Sequence, residues 1–113
     1  MAAHITIEPV TGLVVVRAGG AVIGETRRAL ALRENGREAV YYLPREDFGM
    51  TFLDRSDTVT TCPHKGKATY YHIVAKSGPI RDAAWSYEDP VADVAAIRGC
   101  LAFYPDKATV EVL

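Results

Sequence analysis

Turn-forming residues recur along this chain at short intervals: Thr11-Gly12, Gly19-Gly20, Asn35-Gly36, Pro63 with Gly66, Ser77-Gly78-Pro79 and Pro105-Asp106-Lys107. Segments beside such breaks carry strand-forming patterns. His4 to Val10 alternates, Ile5 and Ile7 against His4, Thr6 and Glu8. Leu13-Val14-Val15-Val16 is a β-branched run that fits a strand buried on both faces, and Gly19-Gly20 turns it into Ala21-Val22-Ile23-Gly24. Arg27 to Glu34 reads equally as helix or strand until Asn35-Gly36 is considered. That dipeptide favours a type I′ turn, and Glu38 to Leu43 beyond it is strand-like, so 27–43 is expected to be a β-hairpin.

Pro44 ends this hairpin, and 45–49 reads as a turn or a single helical turn. Met50, Phe52 and Leu53 are expected to point inward. Asp57 to Thr61 and Lys67 to Ala75 follow as strands, the second with Tyr71, Ile73 and Ala75 on one face and Tyr70, His72 and Val74 on the other. Ile80 to Tyr87 carries Trp85 and Tyr87 on one face. Asp89-Pro90 then has the form of a helix start, Val91, Val94 and Ala95 keep helical spacing, and Gly99 suits a C-cap. Cys100 to Tyr104 and Ala108 to Val112 close the chain as strands. The expectation is one mainly β domain over 1–113, with eight to ten short strands and one short helix in a sandwich or open barrel.

Composition narrows the function classes. The chain has 113 residues, 49% apolar and 24% charged, a globular balance with enough length for one core. Lys and Arg number 13 against 14 Asp and Glu, a net charge of −1. No basic surplus exists for a phosphate backbone, so nucleic acid is not an expected partner. No apolar run approaches the ~20 residues that cross a bilayer, and Met1-Ala2-Ala3-His4 lacks the features of a secretory leader. Two cysteines, Cys62 and Cys100, are too few for a disulfide scaffold. These features fit a protein of the reducing cytoplasm with free thiols and no membrane partner. No motif in the chain specifies an oligomeric state.

Chemistry-bearing residues concentrate in Cys62-Pro63-His64-Lys65-Gly66-Lys67-Ala68-Thr69-Tyr70-Tyr71, where a thiol, an imidazole, two ammonium groups and two phenols share a loop feeding a strand. Three pieces of the chain, Tyr42-x-Pro44-Arg45-x-Asp47, Cys62-Pro63-x-Lys65-Gly66-x-Ala68-x-Tyr70, and Trp85-x-Tyr87-x-x-Pro90 followed by Ile97-x-Gly99 and Phe103-Tyr104, together resemble a bacterial and fungal family known as domain of unknown function four-two-seven. The resemblance runs from about Leu13 to the C-terminus. It implies a small cytoplasmic domain similar to the β-tent architecture, a pair of antiparallel sheets meeting at an angle. The family also carries a nucleotidyltransferase-like name. Many β-tent relatives hold zinc with two Cys-x-x-Cys pairs; this chain has neither, so no structural zinc and no cofactor is implied.

Several sites compete on the residues alone. Cys62 is the one candidate catalytic nucleophile, since His64, Lys65 and Lys67 would favour its thiolate if they faced it; the alternative is a small buried residue at a strand end. Cys62, His64, His72 and Cys100 lack metal-ligand spacing. The Lys65-Gly66-Lys67 turn is not a Walker loop, and Asp47, Asp54 and Asp57 form no recognisable metal motif for nucleotidyl transfer. The aromatic set Tyr42, Tyr70, Tyr71, Trp85, Tyr87 and Tyr104 makes a stronger case. Flat rings beside a few polar anchors are what a small-molecule pocket uses. The expected ligand-binding residues are Tyr42, Arg45, Cys62, His64, Lys65, Tyr70, Trp85 and Tyr87, with an enzyme (a reactive Cys62 or a nucleotidyltransferase-like activity) and a protein-interaction domain as the alternative functions.

Overall fold

The computed structural model describes residues 4–113; the first three residues, read above for a leader, lie outside the described residues. Ten strands are arranged in antiparallel sheets. They are β1 (Ile5–Pro9), β2 (Val14–Ala18), β3 (Ala21–Thr26), β4 (Leu30–Glu34), β5 (Val40–Tyr42), β6 (Leu53–Cys62), β7 (Gly66–Ala75), β8 (Gly78–Ser86), β9 (Ala102–Phe103) and β10 (Thr109–Val112). Their orders are β1-β4-β5, β10-β2-β3 and β6-β7-β8-β9, so the mainly β chain divides over three sheets, and among the described residues no barrel closes. The Leu43–Leu101 bridge joins the β5 side to the β9 side, through N–H to O bonds of 2.9 and 2.8 Å.

The hairpin at Asn35-Gly36 forms as expected. Both residues have positive φ, 54° and 75°, and the Arg37 N–H reaches the Glu34 carbonyl at 3.0 Å, the geometry of a type I′ turn. Its register carries one extra residue. The turn sets Glu34 against Arg37, yet Leu32 opposes Val40, so the returning strand bulges at 37–39 before β5 begins. β1 is fastened to the same turn by reciprocal bonds between His4 and Asn35, 3.0 and 2.8 Å.

β6, β7 and β8 are the long strands of the largest, four-stranded sheet, with register shifts between Arg55 and Val59 and between Tyr71 and Ile73. Asp82 ties the two irregularities together. Its carboxylate accepts from the Ser56 and Thr58 hydroxyls at 2.6 and 2.7 Å, and its N–H donates to His72 Nδ1 at 2.9 Å. Its φ of 49° is a left-handed conformation that aspartate adopts more readily than most residues. Local polar bonding therefore shapes the threonine-rich strand.

Two expectations are corrected. Among the described residues the expected helix is only a 3₁₀ segment, Ala92–Ile97, interrupted at Val94 (φ −123°, ψ 28°), and Asp89 does not cap it. Val94 and Ile97 are both fully buried, and a three-residue spacing aligns side chains in a 3₁₀ turn, where it would offset them in an α-helix. Asp89 instead lies 3.5 Å from Arg98. Met50 and Phe52 do not point inward: they sit in a 3₁₀ turn, which lacks strand alternation, and are 38% and 37% exposed, leaving Leu53 to pack.

The core has two parts. Val14, Val16, Ile23, Leu43, Phe48, Ile73, Leu101 and their neighbours fill the larger one. A smaller cluster of Leu32, Tyr42, Ala68, Tyr87, Val94, Ile97 and Ala102 lies beneath the β4–β5 hairpin. No described helix is long and apolar enough to cross a membrane.

Candidate functional site

Above the smaller cluster, the β1-β4-β5 sheet and the β6-β7-β8-β9 sheet leave a cleft of about 260 Å³. β4 and β5 contribute Leu32, Glu34, Val40 and Tyr42. Tyr70 comes from β7, Trp85 from β8, Tyr87 from the residue following β8, and Tyr104 from the residue following β9. Lys65 enters from the β6–β7 turn, and Arg37 and Glu38 stand exposed at the rim. Five of the eight expected binding residues, Tyr42, Lys65, Tyr70, Trp85 and Tyr87, thus share one cavity.

The rings form a continuous run. Tyr70 and Tyr104 lie 16° from parallel with centroids 6.5 Å apart, and Tyr104 meets Trp85 at 4.5 Å. Trp85 stands edge-on to Tyr42 at 6.5 Å, and Tyr42 leans on Tyr87 at 6.4 Å. Trp85 Nε1 donates to the Tyr42 hydroxyl at 3.3 Å. Thr60 and Tyr104 hydroxyls lie 3.0 and 3.4 Å from that of Tyr70. Burial disfavours the phenolates, pushing Tyr42 and Tyr104 up to about 12 and raising Tyr87 as well. The cleft therefore presents neutral phenols at physiological pH.

Lys65 is buried, 9% exposed. Its Nζ donates to Glu34 Oε1 at 2.6 Å and lies 3.7 Å from Cys62 Sγ. The bond from Lys65 holds the Glu34 carboxyl below its ordinary value. The backbone places this ammonium: Lys65 N–H bonds Cys62 O at 3.2 Å, and Lys65 O accepts from Val91 N–H at 2.9 Å. Gly66 follows at φ +117°, which turns the chain back into β7.

Arg45, Cys62 and His64 are not on the cleft walls. Arg45 points into the fold: Nε donates to Gly99 O at 2.9 Å, Nη1 to Tyr71 Oη at 3.1 Å, and Nη2 to Ser86 Oγ and Glu88 Oε2, each at 3.1 Å. Cys62 is half-buried against the smaller cluster. Lys65 is the one hydrogen-bond partner of its sulfur among the described residues, so the thiol has a cation beside it and no bonded base. His64, half-buried, lies near enough to Glu34 to favour its ionised form. Asp47 is taken up by the Thr26 hydroxyl at 2.6 Å and Arg28 at 3.0 Å. Among the described residues, no three His, Cys, Asp or Glu side chains gather as a metal site.

Sequence reasoning missed Glu34 as the partner of Lys65, 31 positions away, because no local pattern links them. Tyr104 stood in the aromatic set, and the pairing of β9 with β8 sets it beside Trp85. The curated proteins give no match to this chain. Residues 6–113 match the family model described as Domain of unknown function (DUF427), so the chain belongs to that family.

Proposed function

We propose that the protein binds a small planar molecule in the cleft between the β4–β5 hairpin and the four-stranded sheet. The observation that carries this reading is the convergence of Tyr42, Tyr70, Trp85, Tyr87 and Tyr104 around one opening with a buried ammonium at its edge. Apolar flat walls with few polar groups suit a ring system held by stacking and oriented by one or two hydrogen bonds. Cys62 as a reactive thiol has less support, since a neighbouring cation favours thiolate but, among the described residues, no base is bonded to the sulfur. Both thiols are unbridged, which agrees with action in a reducing cytoplasm.

Trp85 is a natural reporter. Its emission should change saturably when planar fragments are titrated into the protein. The half-buried Val40 lines the cleft, so Val40→Phe should fill the space and abolish the response while leaving the thermal midpoint within a few degrees. Absence of a saturable response to every planar fragment, whatever its charge, would sink the reading.

A further inference from the structure

We infer that the ligand of this cleft is a planar oxyanion, an aromatic carboxylate or a similarly acceptor-rich anionic ring, and not a cation. The inference rests on the binding-cleft reading above and concerns which ligand charge the cleft selects.

Three donors remain free to meet a ligand. An indole N–H can only donate, so the Tyr42 oxygen accepts from Trp85 Nε1 at 3.3 Å, leaving the Tyr42 proton for another acceptor. The Tyr87 hydroxyl has no hydrogen-bond partner among the described residues, and none of their fully buried polar side-chain atoms lacks one. That hydroxyl is therefore not fully buried, and Tyr87 lines the cavity. Lys65 has three N–H groups; one is on Glu34 and one faces Cys62, and the third has no acceptor among the described residues.

The acceptors are placed differently. Glu34 is engaged by Lys65 at 2.6 Å, and Glu38 is exposed at the rim with Arg37. Aromatic boxes often hold cations against ring faces, but this one has an ammonium of its own at its edge. A cation could still meet the second oxygen of Glu34, whose side chain is 26% exposed against 11% for Lys65, but it would leave the three donors without an acceptor. It would also sit beside that positive charge in a partly desolvated site, where repulsion is weakly screened. An oxyanion meets the Glu34 charge in its turn, but it accepts a charge-assisted bond from Lys65 and neutral bonds from the phenols, so the donors are satisfied. Because burial keeps the phenols protonated, these donors persist across the neutral range.

A matched set with one ring and three charges tests this. Benzoate, benzamide and benzylamine, the last a cation at neutral pH, are titrated against Trp85 emission. Benzoate should bind tightest, benzamide about tenfold or more weaker, and benzylammonium weakest. Lys65→Met should cost benzoate about tenfold while leaving benzamide nearly unchanged. Should that variant fail to fold, Tyr87→Phe keeps the ring and removes only the hydroxyl, and should weaken benzoate about threefold or more. Benzylammonium or benzamide binding as tightly as benzoate overturns the charge assignment and leaves the cleft reading standing. Unchanged benzoate affinity in Tyr87→Phe and in a folded Lys65→Met also overturns it. If none of the three binds, and no other planar fragment does, both readings fall.

Discussion

Arg45 uses all three of its guanidinium nitrogens inside the fold, reaching the Gly99 carbonyl, the Tyr71 and Ser86 hydroxyls and the Glu88 carboxylate. Its carbon Cζ also lies 5.4 Å from the Tyr71 ring centroid. These contacts tie the segment after β5 to the end of β8 and to the close of the 3₁₀ segment. Burial alone would lift the Glu88 carboxyl, but the Tyr71 hydroxyl, Arg45 and Arg55 outweigh it and hold the group below its ordinary value. A lysine offers a point charge on a flexible stem and cannot span four acceptors at once. Arg45→Lys is therefore expected to lose about 2–4 kcal/mol of stability in urea unfolding, with cleft affinities in the folded protein unchanged. Wild-type stability in that variant would show the network to be dispensable. From the residues alone, Arg45 could equally have faced a ligand, because nothing nearby in sequence reveals that its acceptors lie on three distant segments.

At the level of elements, the β6–β7 turn is where backbone geometry creates the candidate site. Cys62 and Gly66 oppose each other across the hairpin, and the turn between them carries Lys65 inward. A Cβ on Gly66 would meet the Asp89 carbonyl at 3.4 Å and Pro90 Cα at 3.5 Å, ordinary contacts. The obstacle to Gly66→Ala is therefore the φ of +117°, which a residue with a side chain reaches only under strain. The substitution should cost about 1–3 kcal/mol and, by reorienting the turn, weaken benzoate more than benzamide. Equal stability and an unchanged preference would remove the turn from the argument. This element was legible because Pro63 and Gly66 interrupt a strand-forming sequence, and the hairpin at Asn35-Gly36 was legible for the same reason. What escaped were the bulge at 37–39, the irregularity around Asp82, set by cross-strand side chains, and the 3₁₀ character of Ala92–Ile97, which carries the buried pair Val94 and Ile97. The exposure of Met50 and Phe52 escaped too, since an apolar residue in a short turn carries no sign of which way it faces.

Across the whole molecule, the ionisable groups that depend on the fold divide by sign into an acid limb and an alkaline limb. On the acid side, bonds from Lys65 to Glu34, from Thr26 and Arg28 to Asp47, and from Ser56 and Thr58 to Asp82 depress the three carboxyls. A carboxyl with a lowered folded value contributes stability above its unfolded value, 4.5 for Glu and 3.8 for Asp, and loses it as pH falls through the folded one. On the alkaline side the shift is upward, because Tyr42, Tyr87 and Tyr104 are desolvated around the cleft. Stability from a raised phenol is fully present below the unfolded value of 10.0 and declines as pH rises toward the folded value, about 12 for Tyr42 and Tyr104. The limiting slope is about 1.4 kcal/mol per pH unit for each phenol that ionises only on unfolding. Urea midpoints should therefore stay nearly flat from about pH 5 to 9 and fall on both sides. Tyr104→Phe removes one of the three phenols, and its hydroxyl makes only a long 3.4 Å contact to Tyr70, so the variant should fold and show a shallower alkaline limb with the acid limb unchanged. Ordinary phenol ionisation near pH 10 in the folded protein, followed by phenolate absorbance, would mean that water reaches these rings freely. The neutral donors on which anion selection rests would then be lost at the same pH.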